Sequence, residues 1–173
     1  MRFEYQPHLT ESSPWYKGVY DLLAQTEAEF VPPLHTRCST TQRDLSNRHF
    51  SSYDNLWAYF ESMIAQQFIV AICDDEVSGF LSFRKDKEAF YVSTIAVEPD
   101  KRNQGIGRGL YEALFATIGQ RKTFTTRTWT TNLYHRRILD ALGFRIYLEK
   151  DEGRIDINGT QVPSLYYIKE SAI

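Results

Sequence analysis

Arg102, Asn103, Gln104, Gly105, Ile106, Gly107 and Arg108 follow an apolar run, Ile95-Ala96-Val97, and precede a helical stripe of Leu110, Leu114 and Ile118. An apolar strand therefore runs into a glycine turn, and the turn opens a helix. Gly105 and Gly107 let the backbone approach a ligand closely. Free N–H groups at a helix start, together with the helix dipole, favour an anion. Arg102 and Arg108 add positive charge at the same place. This combination suits the gripping of a pyrophosphate. Two other phosphate loops do not fit. The nucleotide P-loop needs Lys and then Ser or Thr after its glycines, where Arg108-Gly109 stands. The dinucleotide fingerprint needs a glycine where Leu110 stands, and an acid about 20 residues on, near Thr125 and Thr126.

The elements that must position this loop follow from periodicity. A helix is expected over 14–30, with Ser13 as cap and Pro14 at its first position. A second is expected over 55–65, capped by Asp54, because Leu56, Phe60 and Ile64 recur every four residues. The polar stretch between them, with Pro32-Pro33, reads as a long ordered loop. Runs at 68–73, 77–83 and 90–97, joined by short polar turns, predict an antiparallel meander. A helix over 105–118, a strand over 123–129 and a helix over 132–142 follow. Gly143 ends that last helix. Strands at 144–148 and 165–168 complete the chain. The expected class is α+β: a mixed, mostly antiparallel central sheet with flanking helices, in one domain over 1–173.

The 173 residues carry 20 basic and 22 acidic side chains, a net charge of -2. No overall positive field exists to drive nonspecific nucleic-acid binding. No apolar run approaches the roughly 18–20 residues of a membrane span. The first ten residues lack the apolar core of a signal peptide. Two cysteines, Cys38 and Cys73, give no disulfide framework and no zinc spacing. The expectations are therefore a cytoplasmic protein with free thiols, no metal, and no nucleic-acid or membrane partner.

Arg102-x-x-Gly105-x-Gly107, after a strand and Pro99, resembles the acyl-CoA-binding motif of the GNAT family of N-acetyltransferases. Asn132, eleven residues before Gly143-Phe144, is similar to that family's second signature. The order of elements also resembles the family's, from about Pro14 to Ile168. The resemblance implies the acyl-CoA N-acyltransferase (GNAT) fold and acetyl-CoA as co-substrate. It implies that the amides of Asn103, Gln104, Gly105, Ile106, Gly107 and Arg108 grip the CoA pyrophosphate. The backbone of Ile95 and Val97 would pair with the pantetheine arm, and the Ile95 amide would polarise the thioester carbonyl. The strand carrying them would be splayed from the strand at 123–129. Asn132 would touch the cofactor, cap its helix, or do both.

The chain departs from the family pattern in places. Many members carry a Tyr seven residues after that Asn as acid for the departing thiolate; here Leu139 stands there. Tyr134 and His135 are the alternatives on the same helix, with His135 either facing the thioester or lying on the helix surface. The strand over 90–97 carries no acid to serve as base. Ser93 and Thr94 can hold a relay water, and Glu88 and Glu98 flank the strand as turn charges. On the acceptor side, His35 and Arg37 are candidates from the Pro-Pro loop, as base and as carboxylate binder. Trp57, Tyr59 and Tyr91 either line that pocket or belong to the core. The expected activity is transfer of an acetyl group to a primary amine of a small molecule. A non-catalytic acyl-CoA sensor and a protein or peptide N-acetyltransferase are the alternatives, and exposed terminal strands leave a homodimer open.

Overall fold

The computed structural model describes residues 1–36 and 52–170. Its sheet has seven strands: β1 (Arg2–Gln6), β2 (Gln67–Cys73), β3 (Glu76–Asp86), β4 (Ala89–Val97), β5 (Thr123–Trp129), β6 (Arg145–Lys150) and β7 (Ser164–Lys169). Their spatial order is β1-β2-β3-β4-β5-β7-β6. Only β4 and β5 pair in parallel; every other neighbour is antiparallel. The four described α-helices are α1 (Tyr16–Thr26), α2 (Ser52–Ile64), α3 (Ile106–Ile118) and α4 (Leu133–Ala141).

The unbroken apolar run of β2 has a simple cause. Phe68, Val70 and Ile72 pack with Leu22, Leu23, Phe60 and Met63 from α1 and α2. Ile69 and Ala71 pack on the other face with Leu110 and Leu114 from α3. A strand covered on both faces has no reason to alternate with polar residues.

Three expectations need correction. The chain opens with a strand that the element order omitted. Arg2-Phe3-Glu4-Tyr5-Gln6 alternates polar and apolar but is short, and its partner, from Phe68 to Ile72, lies far along the sequence. Ser13 does not cap α1. Its Oγ accepts from the Thr10 N–H at 3.0 Å, so it closes the preceding turn, and the helix starts two residues after Pro14. Asp54 lies inside α2, which begins at Ser52. Arg37 and Cys38 lie outside the described residues.

The feature that shapes the site is where β4 leaves β5. The two strands pair only from Ala89 with Thr123 to Val92 with Thr126. On its other side β4 slips by one residue against β3, since Phe83 opposes Val92 while Ser82 opposes Thr94. Ser93 is therefore the extra residue of a bulge. A bulge bends its strand and raises the local twist. Beyond it β4 and β5 diverge, and a notch opens between Ile95–Val97 and Thr128–Trp129.

Candidate functional site

The bulge also decides which way the β4 backbone faces. The Glu98 N–H donates to the Ser78 carbonyl at 2.9 Å, toward β3. Backbone directions alternate along a strand, so Val97 and Ile95 face away from β3 into the notch. Arg102 Nε donates to the Val97 carbonyl at 3.2 Å from that side. The Val92 carbonyl accepts from Thr126 Oγ1 at 2.9 Å, also on the β5 side. Val92 and Ile95 are three residues apart yet face the same way. Ser93 resets the phase; without it Ile95 would face β3.

Two clefts meet at this notch. The larger, about 330 Å³, runs from Ile95, Ala96 and Val97 to Arg102 and Tyr134. The smaller, about 60 Å³, is walled by Tyr59, Tyr91, Arg127 and Arg154. Phe30, Ile95, Trp129, Asn132 and His135 border both.

At the far end of the larger cleft stands the start of α3. Gly105 is its N-cap at φ +82°, and a side chain there would meet nothing within 4 Å. Asn103, at φ +61°, is also left-handed. The first bond of the helix runs from the Gly109 N–H to the Gly105 carbonyl. The preceding amides of α3 thus have no intrahelical partner. The phenol oxygen of Tyr134 sits among them and takes hydrogen bonds from the Asn103 and Gly107 backbone. Burial pushes the Tyr134 phenol up, so it stays protonated at neutral pH. Gly107 answers to α4: a β-carbon there would fall 2.6 Å from Ile138 Cδ1 and 3.2 Å from the Tyr134 oxygen. The arginines at the loop are both paired. Arg102 holds Glu29 at 2.8 Å and Arg108 holds Glu112 at 2.7 Å.

Asn132 is the N-cap of α4, its Oδ1 accepting from the His135 N–H at 3.1 Å. It borders both clefts as well, so capping and lining go together. His135 is not a surface residue. It is 5% exposed and lies one turn before Leu139, itself 0% exposed, on the buried face of the helix. A tyrosine at 139 would enter the core, and α4 meets the clefts through Tyr134, His135 and Ile138 instead. His135 Nε2 lies 2.8 Å from the Tyr111 hydroxyl. Burial lowers the His135 pKa to about 4, so the imidazole is neutral at pH 7. Burial pushes the Tyr111 phenol far up, against a hydrogen bond with Thr126 that lowers it.

On the acceptor side the expected residues divide. Tyr91 borders the smaller cleft, with the Arg84 guanidinium 4.7 Å from its ring. Tyr59 borders it too and bonds Thr94 Oγ1 at 2.8 Å. Trp57 packs against Phe60 and Tyr20 away from both clefts. His35 borders neither cleft; its Nδ1 meets Glu27 at 2.8 Å. Ser93 Oγ bonds Ser82 Oγ at 2.9 Å and also Gln66. Glu98 pairs with Lys101 at 2.8 Å as a turn charge. The reading from sequence missed Arg127, Arg154, Phe30 and Trp129. Arg127 carried a signal: it is the one charged residue in the strand Thr123–Trp129.

Residues 65–146, from the end of α2 into β6, match the family model of the GNAT acetyltransferase domain. This central stretch is therefore similar to a GNAT acetyltransferase domain. No curated protein matches it. A ribosomal-protein-alanine N-acetyltransferase from Brucella melitensis is 16% identical, with 98% of this chain and 99% of that chain covered, at a TM-score of 0.68. An aminoglycoside 6'-acetyltransferase type Ii is 19% identical, covers 98% of this chain and 97% of its own, and has a TM-score of 0.65. A Bacillus anthracis protein solved in complex with acetyl coenzyme A is 18% identical, covers 65% of this chain and 68% of its own, and has a TM-score of 0.53. At such identities the likeness to solved structures is one of fold. It joins the expected GNAT architecture to the observed sheet. Among the described residues no helix is long and apolar enough to cross a membrane.

Proposed function

We propose that this acetyltransferase moves the acetyl group of acetyl-CoA to a primary amine of a small molecule, by direct attack in a ternary complex. The observation that carries the reading is the meeting of two clefts at Ile95 and His135. The larger has Arg102 and Tyr134, beside the start of α3, at one end and the outward backbone of Ile95 and Val97 at the other. The residues fit acetyl-CoA: Asn103 to Arg108 would take the pyrophosphate, and Ile95 and Val97 the pantetheine arm. Asn132 borders the path. Tyr134 would release its loop amides to the pyrophosphate, and Arg102 would turn from Glu29 toward the same charge.

In the reaction the amine lone pair attacks the thioester carbonyl carbon. A carbon–nitrogen bond forms, the carbon–sulfur bond breaks, and the electron pair leaves with the CoA sulfur. The Ile95 N–H would polarise the carbonyl as charge develops on its oxygen. The thiolate needs no strong acid, since a thiol pKa of about 8.5 makes it a good leaving group.

His135 would take the amine proton. The Nε2–H tautomer donates to the Tyr111 hydroxyl at 2.8 Å. That tautomer leaves Nδ1 with its lone pair free for the proton. A base with a pKa of about 4 does not deprotonate a free ammonium ion. It takes the proton once attack has made the nitrogen acidic. The amine must therefore arrive neutral.

The smaller cleft, at about 60 Å³, favours a small acceptor over a protein tail. The free Cys73 thiol fits the reducing cytoplasm. The test has two parts. Acetyl-CoA should raise the melting temperature by mass action, and an amine should release free CoA thiol. A thermal shift without thiol release from any amine leaves the sensor reading in its place. No shift at millimolar acetyl-CoA overturns both.

A further inference from the structure

The smaller cleft is polarised. Arg127 and Arg154 line it, and among the described residues no Asp or Glu does. Behind them sits Glu152, which receives Arg127 Nη1 at 3.3 Å, Arg154 Nε at 3.2 Å and Ser164 Oγ at 2.7 Å, together with the Tyr166 hydroxyl. Burial works against ionisation of Glu152, yet the Tyr166 and Ser164 hydrogen bonds and the Arg127 charge hold its carboxyl down at about 2. One carboxylate thus anchors two guanidiniums, and one positive charge is left over. A guanidinium has five N–H donors, and Glu152 takes one from Arg127 at 3.3 Å.

We propose that the acceptor of this enzyme carries an anionic group, a carboxylate or phosphate, close to its primary amine. The inference rests on the transferase reading above and names the acceptor class for it. The anion would lie against Arg127 and Arg154. The amine would then point to the notch at Ile95 and His135, with the rings of Phe30, Tyr59, Tyr91 and Trp129 around the rest. Polyamines and aminoglycosides bring several positive charges into a cleft that already carries a net positive charge. Like charge opposed across a site disfavours a ligand.

The probes are a set of amino acids, the matching amino-acid amides, phosphoethanolamine and spermidine. Each is titrated into the protein saturated with CoA, with tryptophan fluorescence reporting through Trp129. Amino acids or phosphoethanolamine should bind at least tenfold more tightly than the amides or spermidine, and which of the two wins identifies the anion. Arg127→Gln should erase that preference and leave CoA affinity unchanged. Equal binding of acids and amides, preferred binding of spermidine, or no binding by any probe overturns the proposal. A protein that fails to bind CoA overturns instead the transferase reading on which it rests.

Discussion

The Tyr111 hydroxyl lies 2.8 Å from His135 Nε2, and both side chains are buried beneath α4. The contact joins the reacting end of the cleft to the core, where Tyr111 packs with Phe115 and Phe144. Tyr111→Phe should leave the imidazole N–H without its buried partner. The loss is expected at about 1–3 kcal/mol in urea unfolding. The kcat for thiol release should fall while acetyl-CoA affinity holds, because Tyr111 acts through His135. A fall in affinity alone would refute the positioning role.

His135 should also mark the stability profile. Its folded pKa of about 4 lies below the ordinary 6.5. Between those values the unfolded chain binds the proton and the folded chain does not. Stability is therefore complete above pH 6.5 and is lost as pH falls toward 4. His135→Gln should reduce the slope of unfolding free energy against pH by up to one proton in that window. An unchanged slope would mean that His135 is not buried neutral.

Tyr134 was one of two candidates for the departing acid, but its oxygen lies at the loop amides and not at the notch. Tyr134→Phe should therefore keep kcat. It should also bind acetyl-CoA several-fold more tightly, because the amides no longer have a resident partner to release. Calorimetric titration reads the affinity directly. A large loss of kcat would return Tyr134 to the chemical step.

Much of this site was legible along the chain because it is local. The strand, turn and helix from Ile95 to Leu110 are contiguous, and Asn132 caps the helix it begins. What escaped depends on partners distant in sequence. The bulge at Ser93 exists only in the register with Ser82 and Phe83. Arg127 and Arg154 meet through Glu152, and residues 152 and 154 lie in a segment with little regular structure. His135 stayed open between the thioester and the helix surface because its neighbours Tyr134, Arg136 and Arg137 are polar. Its burial comes from Tyr111 on another helix.

Gly109 shows the same dependence on a distant partner. A β-carbon there would fall 2.3 Å from Phe3 Cζ, where β1 crosses α3. Gly109→Ala should cost about 1–3 kcal/mol of stability through overpacking. Phe3→Leu in the same chain should return part of it. If the single change is neutral in thermal unfolding, β1 does not press against α3 as described.

The central claim is that acetyl-CoA in the larger cleft meets a small amine at the notch. Its most direct measurement is release of CoA thiol from acetyl-CoA as amine concentration is raised, with the N-acetyl product weighed by mass spectrometry. The account predicts saturable, amine-dependent release with one product formed per thiol, rising with pH as the amine becomes neutral. Bound acetyl-CoA with no amine-dependent release from any acceptor would contradict it.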